Sequence, residues 1–144
     1  MAVERDHRAG IDLLLEAARA RLRRLRPREA RDAAGAGGLI IDIRSEAQRD
    51  VQGLVPGAYF VPRNILEWRA DPTCPHHDPV LVEVHGPLIL MCAQGFQSSL
   101  AAATLQDLGR SNATDMEGGF ERWRAEGLAV LPAGTPAQRD APPP

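Results

Sequence analysis

Cysteine is scarce in this chain of 144 residues: Cys74 and Cys92 are the two it has. Two cysteines cannot build a disulfide framework in a domain of this size. No apolar run approaches the roughly 20 residues that a membrane-spanning helix needs. Neither sign of charge dominates, and the net charge is −2. That balance excludes the strong basic excess expected of a nucleic-acid or acidic-membrane binder. A secretory signal is also missing, because the charged stretch Met1 to Gly10 is not followed by an apolar segment with a small-residue cleavage site. These absences predict a cytoplasmic protein whose cysteines stay as thiols. What is present, 44% hydrophobic and 25% charged residues, suits one globular domain with a real core.

The chain opens with helical periodicity. Ile11, Leu14, Leu15, Ala18, Leu22 and Leu25 recur at steps of three and four and share one face. Arg19, Arg21, Arg23, Arg24 and Arg26 fill the other faces and are read as solvated, with a partner-binding stripe as the alternative. Pro27 marks the start of a second short helix through Ala33. After the breaker cluster 34–38, Leu39 to Ile43 reads as a strand buried on both faces. A helix or turn capped by Ser45 follows, then a short strand at Ala58 to Val61 and a helix at Asn64 to Arg69. Asp71 to Asp78 reads as a loop. Pro87 to Met91 is a buried strand, Leu100 to Leu108 a helix capped by Gly109, Ala113 to Met116 a strand, and Phe120 to Ala125 a last helix. Short buried strands alternating with helices predict an open parallel sheet covered by helices.

Cys92 stands where such a sheet places its chemistry, just past the carboxyl end of a buried strand. Gly95 lets the following loop turn sharply, so that several N–H groups face inward. A helix starting near Ser98 aims its free N–H groups at the same place. Such donors stabilise negative charge on a thiolate, a persulfide or a bound oxyanion. Ser98 and Ser99 add hydroxyls or cap the helix. Alone, Cys92 reads as a small buried hydrophobe; the strand, loop and helix around it reverse that preference.

Asp42 to Arg44 with Gly53 to Ala58, then Cys92 to Ser98, then Gly118 to Trp123 with Gly127 form three motifs in order, and together they resemble the rhodanese family, in particular its single-domain members. Asp42-Ile43-Arg44 followed by Gly53-Leu54-Val55-Pro56-Gly57-Ala58 is similar to D-V-R…G-H-I-P-G-A. Cys92 to Ser98 is similar to the active loop C-x-x-G-x-x-S. Gly118-Gly119-Phe120-Glu121-Arg122-Trp123 with Gly127 is similar to the closing G-G-x-x-x-W…G. The resemblance covers roughly residues 38 to 131. It implies an α/β, rhodanese-like three-layer domain with a central parallel sheet flanked by helices, to which this chain adds an N-terminal helix. Segments 1–37, 38–131 and 132–144 are then an N-terminal helical segment packing on the domain, the domain itself, and a disordered Pro/Ala-rich tail.

By the same resemblance, Cys92 takes a sulfane sulfur from a donor as a persulfide and passes it to a thiophilic acceptor, cyanide or a thiol. The active loop, Ala93, Gln94, Gly95, Phe96, Gln97 and Ser98, holds the thiolate and persulfide through backbone N–H groups. Neither metal nor organic cofactor is implied. A small sulfur donor and a small acceptor are the expected partners, with a protein sulfur acceptor as a further option and monomer or homodimer both open. Asp42, Arg44 and Arg63 are expected at the pocket rim, although Asp42 and Arg44 also read as an ion pair fixing the sheet. The loop carries no cation, whereas relatives that use thiosulfate well often have Arg or Lys there. A dianionic donor thus lacks a direct charge partner, which favours a less charged persulfide. Leu54 replaces the family histidine at a position taken as structural, and Trp123 reads as core.

Three other readings compete. A cysteine-dependent phosphatase wants arginine six residues after the cysteine, where this chain has Ser98. Rhodanese-like modules also serve as non-catalytic regulatory or protein-binding domains, often without the cysteine. Cys74, His76, His77 and Asp78 match no common zinc spacing and read as a polar loop. Cys74 as a resolving thiol for Cys92 is a further hypothesis.

Overall fold

The computed structural model describes residues 8–132 and Thr135. The tail expected at 132–144 lies outside the described residues apart from Pro132 and Thr135. Helices α1 (Gly10–Ala20) and α2 (Pro27–Gly35) lead into strand β1 (Leu39–Asp42). Helix α3 (Glu46–Gln52), strand β2 (Tyr59–Phe60), and helices α4 (Leu66–Ala70) and α5 (Pro79–Val82) follow. The chain continues through β3 (Leu88–Met91), α6 (Gln97–Asp107), β4 (Ala113–Asp115) and α7 (Gly119–Ala125). Among the described residues the strands form one parallel sheet in the order β2-β1-β3-β4. All the strands therefore end at the same edge, and the segments after them meet there.

β1 and β3 are buried along their whole length, as their unbroken apolar runs require. Alternation sorts their side chains into two cores. Leu39, Ile41, Leu88, Leu90 and Cys92 pack with Leu66, Leu81, Ala101 and Leu105 on one face. Ile40, Ile89 and Met91 pack with Ala30, Phe120 and Trp123 on the other. The result is three layers, with the cysteine on the α6 side.

Local signals set most element ends. Ser45 caps α3 in a reciprocal capping box with Gln48. Gly109, at φ +89°, closes α6 in a Schellman motif: its N–H donates to Gln106 O, and the Arg110 N–H donates to Leu105 O. The buried Arg110 guanidinium then binds the last carbonyls of α4 and α5, at Ala70 (2.9 Å) and Leu81 (2.8 Å).

The start of the chain departs from its periodicity. α1 ends at Ala20, and Leu22 and Leu25 lie beyond it. Residues 23–25 instead run beside β4. Leu25 pairs in parallel with Met116, its N–H donates to Asp115 O (3.0 Å), and its carbonyl accepts from Glu117 N (2.8 Å). Thr114 Oγ1 donates to Arg23 O (2.7 Å). This extended stretch covers the open edge of β4, which would otherwise expose unpaired backbone. Leu15 and Ala18 are buried under α1 as expected, but Ile11 and Leu14 are exposed. No described helix is long and apolar enough to cross a membrane.

Candidate active site

Cys92 follows β3 directly and is 6% exposed. The loop behind it is shaped by two glycines with positive φ, Gly95 (+85°) and Gly119 (+60°). A β-carbon on Gly95 would sit 2.7 Å from Gly118 N, and one on Gly119 would sit 2.4 Å from Cys92 O. Both positions need glycine for conformation and for close approach. The start of α7 then takes up the loop's carbonyls: Phe120 N donates to Cys92 O (2.9 Å) and Glu121 N to Ala93 O (3.0 Å). With those carbonyls held on that side, two N–H groups reach the sulfur. Cys92 Sγ accepts from Gly95 N at 3.1 Å and from Ser98 N, in the first turn of α6, at 3.4 Å. Among the described residues, the N–H groups of Gln94, Phe96 and Gln97 donate to nothing. The arrangement is a cradle of donors around one sulfur, suited to a thiolate or a larger anion.

A charged layer lies beneath the cradle. Asp115, at the end of β4, is fully buried. Its Oδ2 accepts from Ser98 Oγ and Ser99 Oγ, both at 2.7 Å. Arg24 grips the same carboxylate with Nε (2.9 Å to Oδ1) and Nη2 (3.2 Å to Oδ2). Arg24 Nη2 also reaches Gly95 O at 3.0 Å, and Arg19 Nη2 reaches that oxygen at 2.8 Å. Arg19 Nε donates to Ser99 Oγ (3.1 Å), and its guanidinium lies over the Phe96 ring, 5.5 Å from the centroid. Burial pushes the Arg19 guanidinium below its usual range, helped by Arg24, while Asp115, Cys92 and Glu117 oppose that shift. Arginine stays protonated regardless. The expectation that this arginine run is a solvated face is therefore corrected at Arg19 and Arg24, which turn inward to the loop.

The remaining loop side chains face outward. Gln94 and Gln97 are exposed, Phe96 is 56% exposed, and Gln94 Nε2 donates to Glu121 Oε1 (3.3 Å). The three residues expected at the rim are each held in an ion pair. Asp42 and Arg44 are buried and form a two-pronged pair (3.0 and 2.8 Å). Arg44 also donates to Gln52 Oε1 and Gly53 O and lies over the Phe120 ring. These contacts brace the sheet corner, in line with the ion-pair reading of Asp42 and Arg44. Arg63 is half-buried and paired with Glu67. Cys74 Sγ accepts from His76 N, His77 Nδ1 contacts Cys74 O, and Asp78 accepts from Tyr59 Oη and Val80 N. Among the described residues, no three His, Cys, Asp or Glu side chains gather as an ion site.

A model of the rhodanese-like domain family matches residues 26–126. The chain belongs to that family. A thiosulfate sulfurtransferase GlpE from Ectopseudomonas mendocina is 31% identical to this rhodanese-like domain over 104 residues, spanning 72% of this chain and 85% of the relative. The GlpE of Stutzerimonas stutzeri is 31% identical over 103 residues, 71% and 84%. Among solved structures, a Rhodopseudomonas palustris protein of unknown function, described as a possible tyrosine phosphatase, superposes with TM-score 0.79 at 30% identity. That match covers 90% of this chain and 99% of the other. The human single-domain sulfurtransferase TSTD1 shares the fold at TM-score 0.60 and 20% identity, over 74% and 97% of the two chains.

Arg19, Arg24 and Asp115 were not legible as site residues in this rhodanese-like sequence. One signal was available. Asp115 falls in a segment read as a strand, and a carboxylate buried there demands partners that the strand itself does not supply. The adjacent Ser98-Ser99 pair matched that demand.

Proposed function

We propose that this rhodanese-like domain is a sulfurtransferase that carries sulfane sulfur on Cys92 as a persulfide. One observation carries the reading: Cys92 Sγ accepts two backbone N–H groups from a loop whose carbonyls are tied to α7. The Cys92 thiolate attacks the outer sulfur of the donor. The sulfur–sulfur bond breaks, and its electron pair leaves on sulfite or on a thiolate. The charge on the new persulfide is held by the same N–H groups. Cyanide or an acceptor thiolate then attacks the outer persulfide sulfur, and the electron pair of the breaking bond returns to Cys92 as thiolate. The GlpE relatives, named as thiosulfate sulfurtransferases, support this class of reaction.

The Rhodopseudomonas structure raises a phosphatase as the second reading. Phosphate transfer on a cysteine loop needs an arginine fork on the phosphoryl oxygens. Ser98 occupies that position, and its hydroxyl is spent on Asp115. Without that fork the loop offers a phosphoryl group no bidentate partner, so sulfur transfer is favoured.

Intact mass after incubation with thiosulfate and, separately, with glutathione persulfide tests the proposal. The protein gains one sulfur atom that cyanide removes, and Cys92→Ser gains none. If neither donor modifies the protein, it is a non-catalytic binding module. Cys92-dependent hydrolysis of an aryl phosphate would put the phosphatase first.

A further inference from the structure

Among the described residues, Arg19 has no carboxylate partner, although Arg24 beside it has one. Beneath the loop, Asp115 carries one negative charge and Arg24 cancels it through a two-pronged contact. Arg19, Arg24 and Asp115 together therefore carry one net positive charge. The other charges bordering the loop are Glu117, paired with Arg122, and Glu121, exposed and bonded to Gln94. Arg19 hydrogen-bonds the loop backbone at Gly95 O, which it shares with Arg24, and lies over the Phe96 ring. That carbonyl belongs to the peptide unit whose N–H is that of Phe96, which has no acceptor among the described residues. Drawing electron density to a carbonyl oxygen strengthens the N–H at the other end of the same peptide. Arg19 and Arg24 both precede residue 26, where the family match begins.

We infer that Arg19 is a positioning residue that fits the Cys92 loop to anionic sulfur donors, supplying from α1 the positive charge that the loop's own side chains lack. The inference rests on the persulfide reading of Cys92 and assigns to Arg19, within it, the preference for doubly charged donors such as thiosulfate. Arg19 does not touch the reacting sulfur. It polarises one peptide of the cradle and leaves the layer beneath net positive, so its effect scales with the charge on the donor.

The test compares wild type, Arg19→Gln and Arg19→Lys, each loaded with thiosulfate or with 2-hydroxyethyl persulfide. Cys92 persulfide formation is followed by intact mass. Competition of thiosulfate against the alkyl persulfide is measured in parallel. In Arg19→Gln, the thiosulfate rate or its competing affinity falls about tenfold, the scale of one charge-assisted hydrogen bond, while alkyl persulfide loading is little changed. Arg19→Lys recovers most of the loss, and added salt narrows the gap between wild type and Arg19→Gln. A merely structural arginine would slow both donors together, and that result overturns the inference. So does wild-type protein that loads from the alkyl persulfide while thiosulfate neither loads nor competes; the persulfide reading survives that result. If no donor loads wild type, the proposed function itself fails.

Discussion

Two strands of the sheet end in a buried aspartate held by arginine, and the two carboxylates hold different things. Asp42 closes β1 with Arg44, two residues away, and Arg49, seven away. Their cluster reaches Gln52, Gly53 and the Phe120 ring, all of them framework. Asp115 closes β4 with Arg24, across 91 residues of chain, and with the two serines that begin α6. Its cluster reaches Gly95, inside the loop that surrounds Cys92. The same buried pair thus braces a corner in one place and shapes a reactive loop in the other. What differs is the backbone each pair is tied to.

Replacing the two aspartates separates these roles, and Asp115→Asn has the larger effect. Removing one charge of a buried pair leaves the other uncompensated, at a cost of about 3–5 kcal/mol. Here it also frees Ser98, Ser99 and Arg24 from the arrangement that sets the loop. Displacement of a reacting group by about 1 Å can cost roughly a hundredfold in rate. We expect Cys92 persulfide loading to fall by that order, measured on protein kept well below its unfolding midpoint. Asp42→Asn should cost a similar about 3–5 kcal/mol in urea titration, through unpaired Arg44, yet leave loading per folded molecule nearly unchanged. A loss of loading in Asp42→Asn equal to that in Asp115→Asn would erase the distinction and return Asp42 and Arg44 to the pocket rim.

Sequence distance explains which pair could be read in advance. Asp42-Ile43-Arg44 lies within one strand end, so its pairing needs no knowledge of the fold. Cys92 and its loop were legible for the same reason: the strand, Gly95 and the helix start are consecutive. So were the Ser45 cap and the Gly109 cap, which are chemistry between near neighbours. Arg24 and Asp115 meet only after the sheet has formed, and nothing in the local pattern of either says so. The end of α1 was hidden for a related reason. Leu22 and Leu25 continue the helical period, but the open edge of β4 recruits their segment as an extended strip, and tertiary pairing overrides the local preference. α5 escaped detection because four residues are too few to show a period, although Asp78 caps it and Pro79 opens it.

The smallest expected effect bears on charge at the mouth of the loop. Gln97 is exposed at the start of α6 and has no part in the Asp115 cluster, so changing it leaves the layer beneath intact. Gln97→Arg places a cation on the solvent side of the cradle, in front of the one that Arg19 places behind it. Two opposing terms decide the outcome. A cation in the first turn of a helix is disfavoured by the helix dipole by about 0.3–1 kcal/mol, and a direct guanidinium contact to a dianion is worth about 1.5–3 kcal/mol before screening. The contact exceeds the penalty. Solvent and salt screening at this exposed position leaves about 0.7–1.4 kcal/mol of net gain, so at about 1.4 kcal/mol per tenfold thiosulfate loading rises by about threefold to tenfold, while alkyl persulfide loading does not. If Arg19 already supplies the needed charge, the gain is larger in an Arg19→Gln background than in wild type. Equal gains in the two backgrounds would show that the charges before and behind the cradle act independently, and would confine Arg19 to holding the Gly95 carbonyl.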